Sequence, residues 1–174
     1  MARCLCAAVA GDETETWLGR EVMHGPVFYL GLEEKREEVK RHFRSLGVAA
    51  DAELYVFVEL PPPDAMERLV ASVQQRRPVL VVVDGLYRLV RVSDENGYAE
   101  VSRKLEPLLG LARKWGSHVL VTHHENKRAM GMDGQDGVLG STALVGSVDC
   151  TVIIRRHRES NRRTVLSTQR YGED

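Results

Sequence analysis

Apolar runs alternate with amphipathic segments along most of the chain. Short apolar runs that predict strands occur at residues 26–32 and 54–58, and the runs 78–84 and 118–122 are typical of buried strands, the former covered on both faces of a parallel sheet. The charge-rich stretch after the first run instead places Val39, Phe43 and Leu46 at helical spacing. This alternation of strand and helix predicts an α/β fold with a mainly parallel sheet.

Two more helices and a hairpin complete the predicted elements. Asp64 follows three prolines and can cap a helix with one apolar face, formed by Met66, Leu69, Val70 and Val73. A long helix starting at Ser93 or Asp94, with Pro107 as a local kink, has an apolar stripe formed by Val101, Leu105, Leu108, Ala112 and Trp115. Residues 150–154 and 164–168 flank a polar turn and predict a C-terminal antiparallel hairpin.

Length and composition place these elements in one globular domain over residues 1–174. Hydrophobic residues make up 43% and charged residues 28%, which excludes a disordered or fibrous chain. The formal charge is -1, so any attraction to nucleic acid must come from a local patch. No apolar run is long enough to span a membrane, and three cysteines without ligand spacing indicate reduced thiols, so we expect a cytoplasmic protein.

Polar side chains follow three of the predicted strands. Glu33 and Glu34 follow the first run, Asp84 ends the third, and His123 and His124 follow the fourth. The carboxyl ends of parallel strands meet at one edge of a sheet, where ligands bind. There an Asp can hold Mg²⁺ through water beside a phosphate, a Glu can activate water and a His can sense the γ-phosphate. Helix capping and solvation are the alternative interpretations of each residue.

Two basic segments could contact nucleic acid. Residues 155–163 contain five arginines, and the glycine-rich segment 126–140 contains Lys127 and Arg128. Simple solvation of a charged turn is the alternative. Adjacent histidines on a strand point to opposite faces, which argues against a metal site formed by His123 and His124.

Five stretches, in this order, resemble the RepA-like hexameric helicase ATPases, a RecA-type branch of the P-loop NTPases within the AAA-family ATPases. They are WLGREVMHGPVFYLGLEEK, PVLVVVDGLYRL, DENGYAEVSRKLEPLLGLARKWGSHVLVTHHENK, LGSTALVGSVD and STQRYG. The resemblance covers nearly the whole chain. It implies a RecA-like P-loop NTPase core that uses ATP and Mg²⁺, acts on single- or double-stranded DNA in replication, and assembles into a ring such as a hexamer.

The resemblance also assigns roles to the polar residues of the predicted sheet edge. It implies that Glu33 is the catalytic base and that Glu34 stands where the family usually has Asp, beside the nucleotide. Asp84 resembles the Walker B carboxylate that holds the metal. His124 resembles the sensor between nucleotide and DNA-facing loops, and Arg170 resembles an arginine finger that enters the neighbouring subunit's nucleotide site.

Four residues are implied to face nucleic acid. Lys127 matches the basic residue after the sensor, and Arg128 follows it in the glycine-rich segment. Ser141 and Thr142 match a GSS-like turn of the family. The chain departs from the pattern at two places, because Leu139 stands where a basic residue is common and Thr168 stands where replicative helicases often have lysine.

The largest departure is that no GxxxxGK[ST] phosphate loop occurs in the chain. Residues 2–10 resemble the remainder of the helix after that loop, so we expect the first strand and the loop to be missing. Strands 118–122 and 150–154 then lack a partner between them, and we expect the chain either to close the gap with its own residues or to cover it by self-association.

Three functions remain open on the sequence alone. The chain is either an ATPase core of a DNA-dependent motor lacking a front segment, or a degenerate relative that acts as a non-catalytic oligomerisation or DNA-binding module. A metal-dependent hydrolase built on Asp84 and the histidines is a third alternative without ligand spacing in its favour.

Overall fold

A computed structural model describes residues 1–12, 16–94, 97–123, 142–156 and 162–171. The helices of this part of the chain are α1 (Ala2–Ala10), α2 (Arg36–Ser45), α3 (Ala65–Arg76), α4 (Leu86–Leu89), α5 (Tyr98–Trp115) and α6 (Thr142–Ser147). Its strands are β1 (Thr16–Trp17), β2 (Arg20–Glu21), β3 (Val27–Gly31), β4 (Leu54–Val58), β5 (Leu80–Asp84), β6 (His118–Thr122), β7 (Cys150–Arg156) and β8 (Arg163–Gln169).

Four strands form one parallel sheet in the order β4-β3-β5-β6. The four apolar runs of the sequence supply these four strands, which confirms the predicted α/β fold. All of β3 and the first four residues of β5 are buried. In these two strands the continuous apolar sequence is therefore explained by burial on both faces of the sheet, whereas β4 and β6 are mostly half-buried.

One side of this sheet packs against α1 and α2. The cluster of buried residues between them consists of Cys6, Val9, Val27, Tyr29, Val39, Phe43, Val58, Leu80 and Val82. The predicted helical spacing is confirmed in α2, where Val39 and Phe43 are buried while the charged residues lie on the exposed face. The ring of Phe43 meets that of Tyr29 edge to face, with 5.2 Å between centroids.

The chain divides into two compact units, one formed by Met1–Arg91 and Leu105–His123 and the other by Val92–Lys104 and His124–Asp174. The first unit holds the parallel sheet. In the second, β7 and β8 pair antiparallel from Cys150↔Gln169 to Arg156↔Arg163, so the predicted C-terminal hairpin is confirmed. That residues 1–174 act as a single domain stays a prediction.

Two predicted details of the helices are wrong. The long helix α5 begins at Tyr98 and not at Ser93 or Asp94, whose backbone N–H groups donate to the Glu100 carboxylate. Asp64 occupies the N-cap position of α3 without capping it, since its Oδ2 accepts a hydrogen bond from Nε of Arg68 at 2.8 Å.

Several features bear on the remaining expectations. The helix expected over residues 2–10 is confirmed as α1. Within the described residues β6 pairs with β5 alone, and β7 pairs with β8 alone, so self-association to cover an open edge stays a prediction. The described helices include none with the length and apolar character that a membrane crossing requires.

Candidate functional site at the carboxyl edge of the sheet

The register of the parallel strands aligns their carboxyl ends. Gly31 of β3 lies opposite Asp84 of β5, and Asp84 lies opposite Thr122 of β6. The chain leaves β3 through Leu32, whose N–H donates to the Asp84 carbonyl at 3.0 Å. As predicted from strand order, Glu33, Glu34 and Asp84 therefore gather at one edge.

Two hydroxyl groups hold the Asp84 carboxylate. Thr122 Oγ1 donates to Oδ1 at 2.6 Å, and the Tyr29 hydroxyl donates to Oδ2 at 2.5 Å. The same threonine oxygen accepts the Gly85 N–H at 3.2 Å. These bonds fix the orientation of the carboxylate at the end of β5.

Arg3 of α1 connects Tyr29 with Glu34. Its Nε donates to the Tyr29 hydroxyl at 3.0 Å, and its Nη2 forms an ion pair with Glu34 Oε2. Nη1 of the same guanidinium contacts Nδ1 of His42. A tyrosine hydroxyl has one proton, which Tyr29 donates to Asp84. In the bond with Arg3 the hydroxyl oxygen is therefore the acceptor and Nε is the donor.

The electrostatics of this network keep Tyr29 neutral. Burial raises the pKa of Tyr29 well above its ordinary range, and the hydrogen bond to Asp84 raises it further. Burial likewise raises the pKa of the neighbouring Cys6 thiol to about 12, and the charge of Asp84 adds to the effect. Both groups therefore act as packed, protonated side chains beside the carboxylate.

Glu33 lies in a different environment from Glu34. Its side chain is 40% exposed, and its Oε1 accepts from Arg88 Nε at 3.4 Å. Gly85 has φ +98, and a Cβ there would lie 2.9 Å from Glu33 Cγ, so only glycine leaves this side chain its position. Glu33 can reach a water molecule, whereas Glu34 is held by Arg3.

Of the other predicted site residues, the structure describes only Thr142 and Arg170. His124, Lys127, Arg128 and Ser141 lie outside the described residues, and Thr142 begins α6. Arg170 follows β8, where its Nη2 donates to the Gly146 carbonyl at 2.5 Å. Their functional roles stay predictions.

Sequence reasoning missed Arg3, Tyr29 and Thr122. Each had a weak signal: Arg3 is the one charged residue of ARCLCAAVA, Tyr29 carries a hydroxyl into an apolar strand, and Thr122 ends one. His123 packs against α4, where its ring meets that of Tyr87 edge to face with 4.8 Å between the centroids.

The carboxylates at this edge of the sheet suit Mg²⁺ better than a metal ion that needs three or more protein ligands. The described residues include no cluster of three or more His, Cys, Asp or Glu side chains that could hold a metal ion. Mg²⁺ needs no such cluster, because it keeps several waters and uses one or two carboxylates with substrate phosphates. Asp84 with the exposed Glu33 suits that mode.

A parallel sheet with carboxylates at its carboxyl edge is compatible with an ATPase-type α/β domain, since ligands of such sheets bind at that edge. The comparison with protein families agrees with this class. The family model described as AAA domain (AAA_25) matches residues 1–130, and the chain therefore belongs to this family. No curated protein matches the chain.

Proposed function

We propose that this AAA domain is the ATPase core of a DNA-dependent motor, related to helicases and replication and working in the cytoplasm. The observation that carries the proposal is the joint placement of Asp84 and Glu33 at the carboxyl edge, with Asp84 fixed by hydroxyls and Glu33 exposed to water. AAA-family membership supports the use of nucleotide and Mg²⁺ in general.

The residues of the edge divide the chemistry between them. Glu33 would accept a proton from the attacking water, and Asp84 would hold the cation. Bound Mg²⁺ would neutralise charge developing on the phosphates. Glu34, fixed by Arg3, keeps a negative charge beside the nucleotide position, and His124 is proposed as the sensor of the γ-phosphate.

Arg170 is proposed to act on the site of a neighbouring subunit in a ring. Its guanidinium would add charge where negative charge develops in the transition state. Lys127, Arg128, Ser141 and Thr142 are proposed to face single- or double-stranded DNA, which would couple hydrolysis to movement along the strand.

The test adds a GxxxxGK[ST] phosphate loop, a motif that does not occur in these 174 residues. We expect the 174 residues alone to bind ATP weakly and to show no appreciable turnover, because positioning provides most of the catalysis of phosphoryl transfer. With a strand and a GxxxxGK[ST] loop placed before residue 1, we expect ATP hydrolysis. Glu33→Gln should then lower kcat by about 10² to 10⁴.

Glu37→Gln is the matched control, since Glu37 is an exposed glutamate on α2. Equal activity of both variants would contradict the role of Glu33. Mixing Arg170→Ala with Glu33→Gln subunits should restore activity at interfaces that pair an intact Glu33 with an intact Arg170. No recovery despite demonstrated subunit exchange would contradict the role in trans.

One observation favours a second function, a non-catalytic oligomerisation or DNA-binding module. No GxxxxGK[ST] phosphate loop occurs in the 174 residues, so their sequence has no motif typical of a site that holds the ATP phosphates. If the chain with an added phosphate loop binds ATP without hydrolysing it, while the 174 residues bind DNA or self-associate, the module is the correct interpretation.

A further inference from the structure

Cations and aromatic rings meet at the amino edge of the parallel sheet, opposite the candidate site. We define the amino-edge patch as Tyr55, Arg76, Arg77, Lys114 and Trp115. The guanidinium carbon of Arg77 lies 4.0 Å from the Trp115 ring centroid, and Lys114 Nζ lies 5.1 Å from it. Arg76 lies 4.5 Å from the Tyr55 ring centroid and donates to its hydroxyl at 2.9 Å. Such contacts hold the charges in fixed orientations.

The backbone fixes these side chains in place. Ser117 is 2% exposed, and its hydroxyl donates to the Pro78 carbonyl at 2.6 Å, which ties the end of α5 to the start of β5. Arg77 has φ +49, a left-handed conformation that favours glycine, and its Nε donates to the Gln74 carbonyl at 3.1 Å. The result is an exposed guanidinium over the half-buried indole of Trp115, with its carbon 4.0 Å from the ring centroid.

The local charge is strongly positive although the chain as a whole is not. Residues 74–78 and 112–118 contain four lysines and arginines and no Asp or Glu, against a formal charge of -1 for the whole chain. Glu53 directly precedes β4, so one acidic residue lies at this edge of the sheet, on the side of Tyr55. The positive character is therefore centred on Arg77, Lys114 and Trp115.

We infer that the amino-edge patch binds the backbone and bases of single-stranded nucleic acid. Guanidiniums in fixed orientations match phosphate geometry, and a guanidinium stacked on indole offers its outer plane to a base. Stacking on such a platform is independent of base sequence. An acidic peptide would contact the cations alone, whereas a single-stranded nucleic acid would contact the cations with its phosphates and the stacked planes with its bases. This inference needs neither ATP binding nor hydrolysis.

The experiment measures binding of a labelled oligothymidylate, about 20 nucleotides long, by fluorescence anisotropy over a range of salt concentrations. Arg77→Gln combined with Lys114→Gln should weaken binding and lower the salt slope by about 1.4, which is about 0.7 for each lost phosphate contact. The matched control is Lys40→Gln combined with Arg41→Gln, an exposed pair on α2 with the same charge change.

Trp115→Leu provides a second, independent readout. It should weaken binding because Arg77 and Lys114 lose the ring that holds them in position, while the salt slope stays nearly unchanged because both charges remain. Circular dichroism and thermal unfolding check the fold, and Trp115→Phe, which keeps a ring, should retain most of the affinity.

Three results would overturn the inference. They are the absence of oligothymidylate binding, equal salt slopes for the patch variant and the α2 control, and patch-dependent binding of a polyglutamate peptide in place of the oligonucleotide. The variant Lys127→Gln with Arg128→Gln tests the DNA contacts of the proposed motor function and leaves the amino-edge patch intact. The two proposals can therefore fail separately.

Discussion

Replacing Tyr29 with phenylalanine tests whether the hydroxyl network at the carboxyl edge stabilises the domain. The substitution removes the donor to Asp84 at 2.5 Å and the acceptor of the Arg3 Nε–H at 3.0 Å. The ring is fully buried, and phenylalanine keeps its edge-to-face contact with Phe43. Because packing is conserved, the measured effect belongs to the hydrogen bonds.

The magnitude follows from the charges involved. A hydrogen bond to a charged group contributes about 1.5 to 3 kcal/mol to stability. Removing the Tyr29 hydroxyl also leaves Asp84 Oδ2 without its donor and Arg3 Nε without its acceptor. We therefore expect Tyr29→Phe to lower the free energy of unfolding by about 2 kcal/mol, which for a chain of this size lowers Tm by about 4 to 8 °C.

The assay is urea and thermal unfolding followed by circular dichroism, with Tyr55→Phe as the control. Tyr55 also accepts a hydrogen bond from an arginine, but at an exposed position, so we expect a loss within about 0.5 kcal/mol. Thr122→Val removes the other donor to Asp84, and its effect should not add to that of Tyr29→Phe, because both hydroxyls serve one carboxylate.

Two results would refute this reasoning. If Tyr29→Phe is no more destabilising than Tyr55→Phe, the buried bonds do not contribute as the structure indicates. If the losses from Tyr29→Phe and Thr122→Val add fully, the two hydroxyls act independently and Asp84 does not connect them.

Three further predictions concern other residues. Gly85→Ala should destabilise by more than about 1 kcal/mol in urea unfolding, because φ is +98 and a Cβ would crowd Glu33, whereas Gly110→Ala in α5 meets no neighbour and should not destabilise. Hydrogen bonds from Ser93 lower the pKa of Glu100, so its stabilisation is present above its unfolded pKa of about 4.3 and is lost as pH falls through the lower folded pKa; Glu100→Gln should remove that dependence from pH-dependent unfolding curves. Cys6, fully buried and with its pKa raised to about 12, should resist a thiol reagent at neutral pH that labels the other two, exposed cysteines, and equal labelling of all three would contradict its burial.

The strands of the sheet were predictable because burial on both faces leaves a continuous apolar sequence. β3 and β5 show this signal most clearly. β1, β2 and α4 have only two, two and four residues, too few for any periodicity to appear. The start of α5 was misplaced because Ser93 and Asp94 are typical N-cap residues in sequence. In the folded chain Ser93 donates its N–H and its hydroxyl to the Glu100 carboxylate, and the helix begins later.

Only part of the candidate site was predictable, for a different reason. Glu33 and Asp84 stand at strand ends, and strand ends can be read from the sequence. The partners of Asp84 come from distant positions, since Tyr29 is 55 residues and Thr122 is 38 residues away along the chain. A tyrosine in an apolar run indicates core packing, and only the register of the strands shows that its hydroxyl meets a carboxylate.

The two edges of the sheet separate two kinds of chemistry. Parallel strands gather acidic groups, including Glu33 and Asp84, at the carboxyl edge, while the amino-edge patch brings cations and rings together at the other. A strand of five residues such as β5 spans roughly 16 Å, about twice the Debye length of about 8 Å at physiological salt. Exposed charges at the two edges therefore interact only weakly through the solvent, and the formal charge of -1 is a sum over the whole chain that does not show where its charges lie. Neutralising Arg77 and Lys114 should for the same reason leave the electrostatics around Asp84 unchanged, so any effect of that variant on nucleotide chemistry would have to pass through the packing of the sheet itself.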